Sequence, residues 1–185
     1  MSEIASRGQL RLAFLRWAVV TVPFILLTGF ASARFLPTGS QNGWFVALAK
    51  PQGMPEQWVF PAAWAVLYVL LGLALAMIIN ARGSRLQRPA IILFAIMMAG
   101  NFAWPLVFFG AHQVQGSMIL IGALGVLALV TAVFFARVRI VAALFMLPYI
   151  AWLAYAGMLL YQIDQLNPDA ANLAPGRSTD QIEVK

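Results

Sequence analysis

The chain has 185 residues, of which 62% are hydrophobic and 10% are charged. Soluble domains carry about a quarter charged residues, so the composition excludes a soluble globular protein and predicts a multi-pass membrane protein. The net charge is +6, but the basic residues lie between apolar stretches, as membrane topology requires, which argues against a nucleic-acid partner. The absence of cysteine excludes disulfides, iron–sulfur clusters and cysteine-based zinc sites.

Five apolar stretches each approach the ~20 residues that a helix needs to cross a bilayer. They predict an all-α membrane protein, a bundle of five transmembrane helices that forms a single domain over residues 1–167. The predicted spans are residues 17–33, 59–79, 89–109, 114–135 and 140–163. Residues 168–185 are polar, with two prolines, and predict a disordered tail.

The first apolar stretch has two interpretations. Arg7, Arg11 and Arg16 precede it, and it ends in Ala31-Ser32-Ala33, a pattern that also resembles a signal peptide with its cleavage site. Cleavage would leave four spans. Because the apolar run is longer than a usual signal core, we expect the segment to be retained as the first span.

The Lys and Arg residues are divided unevenly between the two sides of the predicted membrane. Eight lie on the side of the amino terminus: Arg7, Arg11, Arg16, Arg82, Arg85, Arg88, Arg137 and Arg139. Four lie on the other side: Arg34, Lys50, Arg177 and Lys185. Positively charged loops stay in the cytoplasm, so we expect a cytoplasmic amino terminus in a bacterial cell membrane.

The loop between the first two spans is rich in tryptophan and proline. It contains Trp44, Phe45 and Trp58, together with Lys50-Pro51 and Met54-Pro55. Each proline favours extended geometry in the residue before it, so the loop is not helical throughout. The three aromatic rings are costly to leave in water and suit a membrane interface. We predict a proline-stiffened aromatic lid that leads into a helix near Trp58.

Aromatic side chains recur at helical spacing on three of the predicted spans. The residues that share these faces are Trp64 and Tyr68 on the second span, Asn101, Trp104 and Phe108 on the third, and Tyr149, Trp152 and Ala156 on the fifth. A single stripe of this kind is typical of ordinary helix packing. Three stripes beneath an aromatic lid predict a ring-lined pocket for a flat ligand, to which Trp44 and Phe45 of the lid also contribute.

Polar chemistry is sparse within the predicted spans. Asn101 lies near the middle of the third span, where its amide must bond either a neighbouring helix or a ligand, and both alternatives stay open. The absence of paired carboxylates argues against an ion-coupled carrier. His112, the one histidine, lies in a short loop, where we expect an interfacial polar contact and no metal site.

Small residues spaced by four form a stripe on the third span. Ala95, Ala99 and Ala103 lie nearly opposite Asn101, and such spacing lets two helix backbones approach closely in lipid. The stripe fits a homodimer interface and packing within one monomer equally well. A similar stripe on the fourth span comprises Ala128, Ala132 and Ala136.

With these residues in place, the chain resembles the TspO/translocator-protein family, which comprises tryptophan-rich sensory proteins and peripheral-type benzodiazepine receptors. The resemblance covers residues 44–167. It is carried by Trp44-Phe45, Lys50-Pro51, Pro55, Trp58, Pro61, Trp64, Tyr68, Asn101, Trp104-Pro105, Phe108-Phe109-Gly110, Pro148-Tyr149, Ala151-Trp152 and Ala156.

The resemblance implies five transmembrane helices, a homodimer, and a porphyrin-binding pocket that opens toward the first loop. It places the following residues at this pocket: Trp64, Asn101, Trp104, Phe108, Trp152 and Ala156. Three departures concern the lid and the fifth helix. Gly53 stands where the family usually has an aromatic residue and Glu56 where a second proline is common, so the lid is expected to be looser or to close differently. Leu160 replaces an asparagine on the fifth helix, which removes one polar contact.

Three functions are weighed. The leading hypothesis is a membrane protein that binds a porphyrin such as protoporphyrin IX for sensing, sequestration or transport. Because no interior histidine or cysteine can ligate iron, the porphyrin is expected to be held by stacking. The second is a light- and oxygen-dependent porphyrin-degrading enzyme in which Trp64 and Trp152 donate electrons. The third is a structural helix-bundle partner that binds no small molecule.

Overall fold

The computed structural model describes residues 7–81 and 83–173. Six α-helices lie within these ranges: α1 (Arg7–Ser32), α2 (Gly43–Ala47), α3 (Val59–Asn80), α4 (Gln87–Pro105), α5 (Val114–Val138) and α6 (Ile140–Leu166). The described residues contain no β-strand.

Five of these helices are long and apolar enough to cross a bilayer. Their membrane-spanning ranges are Leu12–Ser32, Val59–Asn80, Gln87–Gly110, Val114–Val138 and Ile140–Leu166. The prediction of an all-α protein with five transmembrane helices is therefore confirmed. α6 runs three residues further than predicted, and it continues through Pro148 without a break.

α1 packs closely against α3, the second membrane-spanning helix. The Thr21 hydroxyl donates a hydrogen bond to the Gly72 carbonyl at 2.8 Å. A Cβ atom added at Gly72 would lie 2.7 Å from the Cα atom of Val22, so the absence of a side chain is what allows the two backbones to meet. Gly29 likewise faces the Tyr68 ring directly. This packing is that of an integral helix and favours retention of α1 as the first span.

The two alanine stripes have different environments. Ala128 is fully buried in the core, and Ala132 and Ala136 pack against that core, so the stripe on α5 packs within the monomer. Ala95 and Ala99 on α4 are exposed, and Ala103 is half-buried. The α4 stripe is thus the more exposed of the two.

The alternation of the five long helices places the loops at two ends of the bundle. One end of the bundle holds the lid (residues 33–58), the turn after α4 and the residues after α6. The lid contacts the turn through the Asn42 amide, which donates to the Phe109 carbonyl at 3.1 Å. It contacts the residues after α6 through the Asn167 amide, which donates to the Ala49 carbonyl at 2.9 Å. Arg85, Arg88, Arg137 and Arg139 lie toward the opposite end.

The start of the predicted tail is folded. Ala170–Leu173 form a 3₁₀ turn, in which Ala170 is buried. The remainder of the predicted tail, residues 174–185, lies outside the described residues.

Candidate functional site

A short helix, α2, carries the aromatic residues of the lid inward. Asn42 begins this helix, because its side-chain oxygen accepts a hydrogen bond from the Phe45 backbone N–H at 2.9 Å. Lys50 closes its other end by donating to the Val46 and Leu48 carbonyls, both at 3.2 Å. As predicted, no helix forms over the proline-containing residues 48–58. The ammonium group of Lys50 therefore hydrogen-bonds to backbone carbonyls of the lid itself.

Two lid rings, which from the sequence suit the membrane interface, are buried within the protein. Trp44 is 1% exposed and Phe45 is 6% exposed. The Trp44 indole donates to the Ala170 carbonyl at 2.7 Å, and this partner allows the ring to be buried without an unpaired N–H. Only Trp58, which is 66% exposed, lies on the outside as expected.

The buried lid rings meet side chains from α4, from the turn that follows it (Leu106–Gly110) and from α6 in what we call the lid cluster. Its members are Trp44, Phe45, Leu48, Trp104, Phe108, Phe109, Ala156, Leu160 and Ile163. The Trp44 and Phe108 rings meet edge to face at 5.2 Å, and Trp104 stacks on Phe108 at 5.0 Å with 14° between the planes. The mouth of the bundle is therefore filled by its own aromatic rings.

A second group of rings, the wall cluster, adjoins the lid cluster. It comprises Trp64, Tyr68, Asn101, Tyr149 and Trp152, which come from α3, α4 and α6. Its tyrosines, Tyr68 and Tyr149, are buried, and its indoles, Trp64 and Trp152, are half-buried. The Trp64 ring centroid lies 5.2 Å from that of Tyr68, 6.3 Å from that of Tyr149 and 6.4 Å from that of Trp152. One indole thus contacts the other three rings, and the indoles predicted to work together do lie side by side.

Asn101 holds two tyrosines of the wall cluster together. Its side-chain nitrogen donates to the Tyr68 hydroxyl at 3.3 Å, and its side-chain oxygen accepts from the Tyr149 hydroxyl at 3.2 Å. Of the two roles left open by the sequence, the bond to neighbouring helices is the one observed. The network ties α3, α4 and α6 together in the membrane interior.

Replacing Asn101 with leucine should destabilise the bundle by about 1 kcal/mol, because two buried hydroxyls lose their partner. The matched control is the triple variant Tyr68→Phe, Asn101→Leu and Tyr149→Phe, which removes every polar group of the network and should recover most of the loss. Thermal unfolding in lipid nanodiscs measures both. A triple variant that is less stable than the single variant would contradict this account.

The ten predicted ligand-binding residues divide equally between the two clusters. Trp44, Phe45, Trp104, Phe108 and Ala156 belong to the lid cluster, and the other five form the wall cluster. Since Asn101 and Trp104 are one turn apart on α4, and Trp152 and Ala156 are one turn apart on α6, the clusters adjoin along the bundle axis. Helical spacing predicted which side chains share a helix face, but it could not show that the lid rings fill the mouth of the bundle.

Several residues around the clusters were not selected from the sequence. Asn167 pairs with both backbone groups of Ala49, accepting from the N–H at 2.8 Å and donating to the carbonyl at 2.9 Å. Its position directly after α6 and before Pro168 is typical of a helix-ending residue, which was the available signal. His112 stacks on Trp44 at 4.8 Å, a contact with an aromatic ring where a polar one was expected.

An open apolar groove of about 610 Å³ runs along the outside of the bundle between α3 and α6. Its lining residues are Ala63, Val66, Leu67, Pro148, Ala151, Trp152 and Tyr155. Trp152 therefore belongs both to this groove and to the wall cluster. Among the described residues, no group of three or more His, Cys, Asp or Glu side chains is placed to hold a metal ion.

Five apolar membrane-spanning helices around two aromatic clusters define the class, a multi-pass helical-bundle membrane protein. The sequence pattern of the TspO/MBR family matches residues 19–166. The chain belongs to the TspO/MBR family, which confirms the resemblance drawn from its tryptophan, proline and asparagine positions.

Relatives of this chain occur in bacteria and in mammals. It is 33% identical over 144 residues to the tryptophan-rich protein TspO of Chlorobaculum tepidum, a match that covers 77% of this chain and 90% of the relative. It is 35% identical over 155 residues to the translocator protein of Bos taurus, covering 80% and 90%. The protein CrtK of Rhodobacter capsulatus is 32% identical over 130 residues, covering 70% and 81%.

Proposed function

We propose that this protein binds a porphyrin such as protoporphyrin IX within the membrane and senses, sequesters or transports it. The observation that carries the proposal is the wall cluster, in which Trp64 contacts three other aromatic rings inside an apolar bundle. A flat macrocycle gains by stacking on such rings, at about 0.5–1.5 kcal/mol for each ring pair beyond the burial of apolar area. The name of the bovine relative, translocator protein, supports the transport of a ligand.

Entry through the mouth of the bundle requires the lid to move. The rings of Trp44, Phe45 and Phe108 fill the mouth above the wall cluster, so a macrocycle that enters by this route reaches the wall only when α2 swings outward. The lid is a short helix between two segments of turns and irregular structure. It is held by hydrogen bonds and by the burial of Trp44, Phe45 and Leu48. Such a segment opens at low cost in comparison with a transmembrane helix.

The grip on the porphyrin comes from stacking, without an axial ligand to iron. Haem proteins ligate the metal through histidine, cysteine, methionine or tyrosine. The chain has no cysteine, and its single histidine stacks on Trp44 outside the wall cluster. The two tyrosine hydroxyls of the wall cluster, on Tyr68 and Tyr149, are already hydrogen-bonded to Asn101. A metal-free porphyrin should therefore bind about as well as its iron complex.

The placement in the membrane and the assembly are part of the same proposal. The excess of basic residues at the end opposite the lid favours a cytoplasmic amino terminus in a bacterial cell membrane, with the lid facing outward. The exposed Ala95 and Ala99 on α4 favour a homodimer that closes on this face.

Changing both Trp64 and Trp152 to phenylalanine should weaken protoporphyrin binding at least about tenfold, because two large stacking surfaces are reduced. Porphyrin absorbance, titrated in dim light with protein in nanodiscs, measures the affinity independently of tryptophan fluorescence. Trp58→Phe is the matched control, since this ring lies at the carboxyl end of the lid, is 66% exposed and belongs to neither cluster, and it should leave the affinity unchanged. Wild-type protein that binds no porphyrin, or a double variant of undiminished affinity, would overturn the proposal.

A further inference from the structure

The indole N–H of Trp104 is buried and has no hydrogen-bond partner. It is the one buried side-chain nitrogen or oxygen without a partner within the residues that the structure describes. Two other tryptophans of the same end are paired: Trp44 donates to the Ala170 carbonyl at 2.7 Å and Trp58 to the Glu56 carboxylate at 2.7 Å. The absence of a partner at Trp104 is thus particular to this position.

The surroundings of Trp104 explain why its N–H is left over. Phe108 stacks on the indole at 5.0 Å and Phe109 meets it edge-on at 5.9 Å. The Trp104 side chain is itself half-buried and packs against the apolar lid cluster. Closure of the lid removes water from this nitrogen and offers no oxygen in return, which costs free energy in the closed state.

Trp104 also lies where a ligand would meet it. It is one helical turn from Asn101 of the wall cluster, and its stacking partner Phe108 touches the lid rings Trp44 and Phe45. A porphyrin that displaces the lid rings and stacks on the wall cluster therefore brings its edge next to the Trp104 indole.

We propose that Trp104 donates a hydrogen bond to a carbonyl or carboxylate oxygen at the edge of the bound porphyrin. The inference rests on the proposed function and specifies the ligand class: porphyrins with oxygen-bearing side chains are preferred to porphyrins with alkyl side chains alone. An oxygen acceptor satisfies the buried donor, whereas an alkyl group leaves it unpaired. Trp104 is then a specificity-determining residue that also disfavours the closed lid.

Three probes separate hydrogen bonding from charge. Mesoporphyrin IX carries two propionates, its dimethyl ester keeps the carbonyl oxygens but has no charge, and etioporphyrin replaces both propionates with alkyl groups. Each is titrated by absorbance into protein in nanodiscs of neutral phosphatidylcholine, with protein-free nanodiscs as the blank. The wild-type protein should bind the ester about tenfold more tightly than etioporphyrin.

Trp104→Phe should remove this preference, since an aromatic ring is kept, although a smaller one, while the N–H donor is lost. Trp58→Phe, the matched control, should retain it. A Trp104→Phe protein that still prefers the ester tenfold, or a wild-type protein that binds the ester and etioporphyrin equally, would overturn the inference while leaving porphyrin binding intact. Failure of all three probes to bind would instead overturn the proposed function and this inference with it.

A second measurement needs no variant. The indole N–H signal of Trp104 in the NMR spectrum of the wild-type protein should move downfield with the dimethyl ester, as a newly hydrogen-bonded proton does, and should not do so with etioporphyrin. Equal shifts with both probes would contradict the proposed bond.

Discussion

Replacing Gly72 with alanine is expected to force α1 away from α3 and to destabilise the bundle by about 1–3 kcal/mol, the usual cost of overpacking. The added Cβ atom would lie 2.7 Å from the Cα atom and 3.1 Å from the backbone nitrogen of Val22. A backbone cannot rotate out of the way as a side chain can. The Thr21 hydrogen bond to the Gly72 carbonyl would be strained by the same displacement.

Gly122→Ala is the matched control for this variant. Gly122 also lies inside a transmembrane helix, α5, but no atom stands within 4 Å of the Cβ position there. Alanine is favoured over glycine in a helix interior by up to about 1 kcal/mol, so this variant should be as stable as the wild type or more so. Thermal unfolding in nanodiscs compares the two, and similar melting temperatures for both variants would contradict the close packing of α1 on α3.

Replacing Asn167 with alanine is expected to loosen the lid by breaking its link to α6. The side chain makes two hydrogen bonds to Ala49 and a third, at 2.7 Å, to the Ile163 carbonyl. Each bond contributes about 0.5–1.5 kcal/mol, so local opening of the lid should become about 10- to 100-fold more frequent. Hydrogen exchange at the Ala49 amide, whose acceptor is the Asn167 side chain, measures this opening directly.

Asn167→Ala should also change the rates at which a porphyrin binds and dissociates. If the lid must move for a porphyrin to pass, both association and dissociation should accelerate in Asn167→Ala, while the affinity changes much less. Asn172→Ala is the control, because Asn172 is exposed on the same carboxyl-terminal turn and should leave exchange and kinetics unaltered. If the Ala49 amide exchanged at the same rate in Asn167→Ala as in the wild type, the proposed link between the lid and Asn167 would be excluded.

Much of the bundle follows from local properties of the sequence. The length of each apolar run gives the five spans, and the spacing of four between Trp64 and Tyr68 puts both on one face of α3. Helix ends were harder to predict: α4 is extended to Gly110 by a widened turn in which the Ala111 N–H bonds the Leu106 carbonyl. No hydropathy pattern signals such a turn.

The site itself depends on contacts between residues far apart in the chain. Trp44 looks like an interface residue from the sequence, because its partner, the Ala170 carbonyl, lies 126 residues away. Asn101 was ambiguous for the same reason, since periodicity shows which face it occupies but not which tyrosines lie opposite. Leu160, where the family has an asparagine, is 3% exposed within the lid cluster and makes that part of the mouth fully apolar.

The joint between the lid and the carboxyl-terminal turn has a practical consequence for handling the protein. An affinity tag or a fluorescent fusion at the carboxyl terminus would be joined to the segment whose Ala170 carbonyl and Asn167 amide hydrogen-bond the lid. A tag before α1 would be joined to the opposite end of the bundle. The amino-terminal position is therefore preferable for measuring how fast a porphyrin binds and leaves.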